Sequence, residues 1–147
     1  MARILKWIVV MVLLGIAAGA GYFWYTFMSP YGYEPPEAVA VDERVMQQEV
    51  FVYGTLRNDL LRWVIMGSPV STRDATLAGY RRQDLDIQPA EGVEVEGEVL
   101  TVTPSALTAL DRYERLGVRY TREAVKLDDG SSVWVYKRLP DDASGAP

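Results

Sequence analysis

A run of β-forming residues, Val50-Phe51-Val52-Tyr53, ends at Gly54 and leads into Thr55, Leu56 and Arg57. Branched and aromatic side chains suit a buried strand, and a glycine at its end lets the backbone turn sharply or approach a ligand closely. Leu56, Leu60, Leu61, Val64 and Ile65 then recur at helical spacing, with Arg57, Asn58, Asp59 and Arg62 between them. A strand that stops at such a turn and opens a helix leaves backbone N–H groups free, and these suit a carboxylate or a developing oxyanion. A turn that serves only tight packing would carry the same pattern. The rest of the inventory narrows the chemistry, because the 147 residues include no Cys and no His. That excludes thiolate nucleophiles, disulfides, Cys/His zinc sites and Ser-His-Asp triads. Proton transfer is left to Asp, Glu, Lys or Tyr.

The elements that must position these groups begin after an N-terminal appendage. Residues 7–28, from Trp7 to Met28, carry no charge. As a helix they would extend roughly 33 Å, against about 30 Å for a bilayer core. Trp7 stands at one end, and Tyr22, Phe23, Trp24, Tyr25 and Phe27 crowd the other, as aromatic side chains do at membrane interfaces. The competing reading is a cleaved signal peptide, since Ala18-Gly19-Ala20 has the small residues of a cleavage site. Apolar residues continue past Ala20, which favours a membrane anchor over residues 1–28 in contact with lipid through 7–28. Gly15, Ala18 and Gly19 leave a small-residue face on which another membrane subunit could pack. Arg3, Lys6 and the amino terminus precede the span, whereas the next basic residue is Arg44. That asymmetry puts the N-terminus in the cytoplasm and the following domain outside it, in the periplasm if the source is bacterial.

Residues 29–46 read as a linker, because Pro30, Gly32, Pro35 and Pro36 oppose regular structure. A domain over 47–140 follows, with 141–147 as a frayed tail. The formal charge of the chain is -5, and because Arg3 and Lys6 lie in the first six residues the remainder is more acidic still, which argues against nucleic acid as a partner. Within the domain, Ala75 to Arg82 suits a strand and Arg81-Arg82-Gln83-Asp84 a solvated bend. Val93-Glu94-Val95-Glu96-Gly97-Glu98-Val99 alternates, so its valines should face a core and its glutamates water. Thr103 and Pro104 are an N-cap and a first helical residue. Ala106, Leu107, Leu110 and Tyr113 give that helix an apolar stripe, and it should end between Glu114 and Gly117. Tyr120–Leu127 and Ser132–Lys137 read as strands joined by a turn at Asp128-Asp129-Gly130. Two helices among about five strands, without regular alternation, make an α+β domain with a mixed or largely antiparallel sheet.

Three segments in this order resemble the gamma-glutamylcyclotransferase superfamily, and in particular its gamma-glutamylamine cyclotransferase or AIG2-like branch. They are Val50-Phe51-Val52-Tyr53-Gly54-Thr55-Leu56-Arg57, Val95-Glu96-Gly97-Glu98-Val99, and Leu110-Asp111-Arg112-Tyr113-Glu114 followed by Tyr120-Thr121-Arg122. The resemblance covers about residues 49–138. It implies a small α+β barrel or mixed sheet with two main helices, here preceded by a single transmembrane helix. It also implies cyclisation of a small γ-glutamyl substrate to 5-oxoproline, with release of an amine or amino acid. It assigns the catalytic acid and base to Glu114, the substrate cradle to Tyr53, Gly54, Thr55 and Leu56, and a place near the pocket to Tyr120. The chain departs from the family in its anchor and in the bulky, basic run Arg115-Leu116-Gly117-Val118-Arg119.

The implied reaction suits the missing residues. The substrate's own α-amino group is the nucleophile, and intramolecular attack between well-held groups reaches effective molarities of about 10⁵–10⁸ M. The protein needs a base, an acid and oxyanion donors, but no Ser or Cys nucleophile, metal or cofactor. A glutamate at a helix end, three residues after Asp111, is expected to have a raised pKa from the dipole and the like charge. Arg112, Arg115 and Arg119 would oppose that shift. The alternative from another class is a noncatalytic binding or structural subunit of a membrane complex that keeps the fold.

Overall fold

A computed structural model of the protein describes residues 1–34, 36 and 39–140. The expected tail, 141–147, and Pro35, Glu37 and Ala38 of the expected linker lie outside the described residues. The chain divides into two compact units, residues 1–34 and 35–147. The division falls within the stretch read as a linker.

The first unit is built on one helix, α1 (Ala2–Phe27). It is long and apolar enough to cross a membrane, with a mean hydropathy of 2.2 over its most apolar window. Its large side chains, among them Ile4, Trp7, Leu13, Leu14 and Ile16, are exposed.

The second unit is a five-stranded mixed sheet with two helices. Its elements are β1 (Gln48–Val52), α2 (Asp59–Met66), β2 (Ser71–Gln83), β3 (Asp86–Val102), α3 (Pro104–Glu114), β4 (Tyr120–Lys126) and β5 (Ser132–Arg138). The strand order is β2-β3-β1-β5-β4. Only the β1–β5 pair is parallel; β1–β3, β2–β3 and β4–β5 are antiparallel. The central strand, β1, ends where Tyr53 and Gly54 begin the loop into α2.

Alternation along the strands gives the sheet two apolar faces. Phe51, Leu77, Ile87, Val95, Val99, Val133 and Val135 form one buried cluster. Val50, Leu100 and Val102 point to the other face and are equally buried. Helix α3 lies against β3 and α2 and buries Ala106, Leu107 and Leu110. Its start is as expected: the Thr103 side chain accepts from the Ala106 N–H at 3.3 Å, with Pro104 in the first turn. Gly97 answers to close packing, because a Cβ there would stand 2.4 Å from the Val52 carbonyl oxygen and 2.6 Å from the Phe51 ring.

Two expectations need correction. Arg81 to Gln83 belong to β2, and only Asp84 and Leu85 make the turn into β3. A long, bulged β2–β3 hairpin carries these residues, with the register shift at Gly79. The other correction concerns α2, whose expected apolar stripe is split: Leu56 and Ile65 are buried, but Leu60 and Val64 are turned outward. Leu60 is 68% exposed and Val64 37%, while Arg62 is buried at 4%. The Arg62 guanidinium explains the rotation, because it donates to the Leu56 carbonyl at 2.9 Å and to Glu98 at 2.8 Å and also pairs with Asp59. Satisfying a buried charge with two or more partners outweighs the gain from covering two leucine-sized side chains. Glu94 and Glu96 do face water, whereas Glu98 is held by Arg62 and Arg57.

Candidate active site

Glu114 is the last residue of α3. The helix stops there because Arg115 takes a left-handed conformation, φ 51°, and its N–H and that of Leu116 return to the Arg112 and Asp111 carbonyls. This cap leaves the Glu114 side chain partly buried, and it has no ion-pair partner among the described residues. Burial raises its pKa to about 7, opposed by the positive charge of Arg119. A carboxyl group poised near neutrality can accept and return a proton at working pH.

Four tyrosines surround that charge. The Tyr53 hydroxyl donates to the Tyr136 carbonyl at 2.7 Å and reaches the Leu85 carbonyl at 3.5 Å. The Tyr120 hydroxyl donates to the same Leu85 oxygen at 3.3 Å. Burial raises the pKa of Tyr53, Tyr113, Tyr120 and Tyr136, and the nearby Glu114 charge contributes at each. All four therefore stay protonated, as neutral donors. Tyr113 is tied to the loop through a side-chain hydrogen bond with Thr55.

The loop itself closes as a short 3₁₀ turn, Thr55–Arg57, before Asn58 caps α2 by accepting from the Leu61 N–H at 3.0 Å. Arg57 N–H and Asn58 N–H return to the Gly54 and Thr55 carbonyls. The N–H groups of Thr55 and Leu56 have no backbone acceptor among the described residues. The Leu56 side chain is buried and its carbonyl is taken by Arg62, so its free N–H is what it can offer a ligand. Gly54 is neither crowded nor left-handed: its φ is -125°, and an added Cβ would meet nothing within 4 Å. Space, not backbone strain, is what a glycine leaves here. Arg57 is exposed and paired with Glu98 at 3.3 Å.

The predicted residues thus fall into two adjoining groups. Glu114, Tyr53 and Tyr120 come together electrostatically, and Thr55 is joined to them through Tyr113. Gly54 and Thr55 also line a largely apolar groove of about 650 Å³ with Arg57, Asn58, Leu60, Leu61 and Val64. Tyr53, Leu56 and Glu114 do not line it.

Asp111 corrects an expectation. Its carboxylate does not act on Glu114 as a like charge, because it is buried and committed elsewhere. Arg122 donates to it at 2.7 Å and the Tyr136 hydroxyl at 2.5 Å. Arg122 in turn donates to the Val39 carbonyl at 2.7 Å and lies 4.9 Å from the centre of the Trp134 ring. Of the basic residues after Glu114, Arg119 alone opposes its pKa shift, while Leu116 is buried and Arg119 exposed. Sequence reading missed Tyr136 and the Leu85 carbonyl. The alternation of β5 offered a signal for Tyr136, which lies on the face opposite Val133 and Val135. A backbone carbonyl offers none.

A family model described as "Gamma-glutamyl cyclotransferase, AIG2-like" matches residues 50–146. AIG2-like protein D of Arabidopsis thaliana is 32% identical over 114 residues, covering 66% of this chain and 74% of its own. A Vibrio cholerae serotype O1 protein named "Putative gamma-glutamylcyclotransferase" is 35% identical over 95 residues, covering 62% of this chain and 82% of its own. Among solved structures, one from Arabidopsis thaliana in solution is similar with a TM-score of 0.56 and 28% identity. That match covers 66% of this chain and 65% of the solved one, so it spans just under two thirds of that relative.

Proposed function

The chain belongs to the AIG2-like gamma-glutamyl cyclotransferase family, and from that premise we propose that it is a membrane-anchored cyclotransferase acting on γ-glutamyl amides. The observation that carries the reading is a carboxyl group at Glu114 with no ion-pair partner among the described residues and a pKa of about 7 among protonated tyrosines. In the proposed reaction the substrate's α-amino group attacks its own γ-carbonyl carbon. A C–N bond closes the five-membered ring, and the bond to the departing amine breaks. Glu114 takes a proton from the attacking nitrogen and returns it to the leaving nitrogen, so one side chain serves both steps. The free N–H groups of Thr55 and Leu56 are the candidate donors to substrate oxygen. The other half of the rate comes from holding the γ-glutamyl chain in its cyclising conformation.

In this reading α1 is a membrane anchor with its N-terminus in the cytoplasm, supported by its length, its exposed apolar surface and the basic residues before it. A reporter fused to the C-terminus should be active only as an extracytoplasmic form; cytoplasmic activity would reverse the orientation. The reaction is tested by 5-oxoproline release from γ-glutamyl-ε-lysine, γ-glutamyl dipeptides and glutathione, with Glu114→Gln as control. Equal turnover by wild type and variant would remove Glu114 from the mechanism.

A further inference from the structure

We propose that the apolar groove beside the Gly54–Thr55 loop holds the amine half of the substrate, making the protein selective for γ-glutamyl amides of apolar alkyl amines. The inference rests on the cyclotransferase reading and names the substrate class for that same site.

Helix α2 carries the argument. It turns Arg62 and Ile65 inward and two aliphatic side chains outward, so that Leu60 is 68% exposed and Val64 37%. With Leu61 these residues wall a groove of about 650 Å³. That size falls within the roughly 300–1,000 Å³ of small-molecule sites, which are themselves mainly apolar. Carbon chains covering Leu60 and Val64 would recover the burial that the Arg62 ion pairs deny them.

The groove is also placed to receive a leaving group. Gly54 and Thr55 form one end of it. Thr55 is hydrogen-bonded through its side chain to Tyr113, the neighbour of Glu114 in the chain. A γ-glutamyl group held at the Gly54–Thr55 end, with its γ-carbonyl toward Glu114, would direct its amide nitrogen toward the groove. Whatever that nitrogen carries extends along Leu60, Leu61 and Val64. Among the described residues no acidic side chain lines the groove to pair with a charged amine tail, and Arg57 is its only charged lining residue. A lysine-like leaving group would gain nothing there, and an alkyl chain would.

The test is a series of γ-glutamyl-methylamide, -butylamide and -hexylamide, with γ-glutamyl-ε-lysine as the polar comparison. The full chain is assayed in phosphatidylcholine nanodiscs, which keep detergent out of the groove. Each methylene buried should raise kcat/KM by up to about fourfold, so the butyl compound, three methylenes longer, should exceed the methyl compound by about tenfold and by no more than about sixtyfold. The slope of this series should flatten in the double variant Leu60→Gln/Val64→Gln, whose substituted side chains are already exposed in the fold. A flat series in the wild type, with 5-oxoproline still released, overturns the inference and leaves the cyclotransferase reading standing. No product from any member overturns the cyclotransferase reading itself, and this inference with it.

Discussion

Two carboxylates one helical turn apart on α3 meet opposite environments. Asp111 is buried among partners: a guanidinium at 2.7 Å and a tyrosine hydroxyl at 2.5 Å. Burial raises its pKa, and the Tyr136 hydrogen bond and Arg122 charge oppose the shift. Ion-paired in this way, the carboxylate joins α3 to β4 and β5. Glu114, three residues on, lies near tyrosine hydroxyls that donate to backbone carbonyls (Tyr53, Tyr120) or to Asp111 (Tyr136), and among the described residues no guanidinium pairs with it. Its proton is therefore exchangeable near pH 7. The same element thus holds one carboxylate in an ion pair and leaves the other unpaired among the described residues, separated by which acquires an arginine.

The sharpest way to test that division is to neutralise each in turn. Glu114→Gln should lower kcat by about 10²–10⁴-fold, the usual worth of a general acid–base group, without lowering the denaturation midpoint. Asp111→Ala should do the reverse, costing about 3–5 kcal/mol in urea unfolding by leaving Arg122 buried without its carboxylate. If Asp111→Ala is as stable as wild type, the contrast fails.

Stability against pH separates the two further. Because the folded-state pKa of Glu114 lies above the 4.5 of a free glutamate, at about 7, the folded protein binds the extra proton. Its contribution to stability is most favourable below pH 4.5 and declines as pH rises through 7. By pH 8 the loss relative to pH 4 amounts to about 3 kcal/mol. Glu114→Gln should consequently raise Tm relative to wild type at pH 8 and show no such gain at pH 4. Equal gains at both pH values would mean that the carboxyl titrates normally.

Smaller effects probe the surroundings. The acid limb of kcat/KM should have its midpoint near 7, and Arg119→Gln should move it upward by on the order of a few tenths of a unit, since that charge opposes the shift. A downward movement would contradict the assignment. Tyr113→Phe removes the hydrogen bond to Thr55 and should cost about 1 kcal/mol of stability. A larger fall in activity than in stability would show that the bond also sets the loop.

Much of the fold was legible because it rests on local pattern. The Thr103-Pro104 helix start, the Asp128-Asp129-Gly130 turn and the alternation through Val95 and Val99 each follow from one residue's preference or a two-residue period. The family segment ending at Glu114 was legible for the same reason, as a short string of side chains. The burial of Arg62 was not. Periodicity counts Leu60 and Val64 as core, and only Glu98 on β3, with the Leu56 carbonyl, makes it favourable to turn the helix the other way. The β2–β3 tip was misread because Arg81, Arg82 and Asp84 are solvated in a strand as they would be in a bend.

By itself, then, the sequence determined the elements, the absence of thiol and imidazole chemistry, the apolar span and the identity of the carboxylate at position 114. What tertiary structure decided is the difference between that carboxylate and Asp111. Helical spacing puts the two on neighbouring faces with similar intrinsic acidity. Partners arriving from β4 and β5, Arg122 and Tyr136, single out Asp111 and leave Glu114 to burial. A pKa is a property of surroundings, and here those surroundings come from residues distant in the chain.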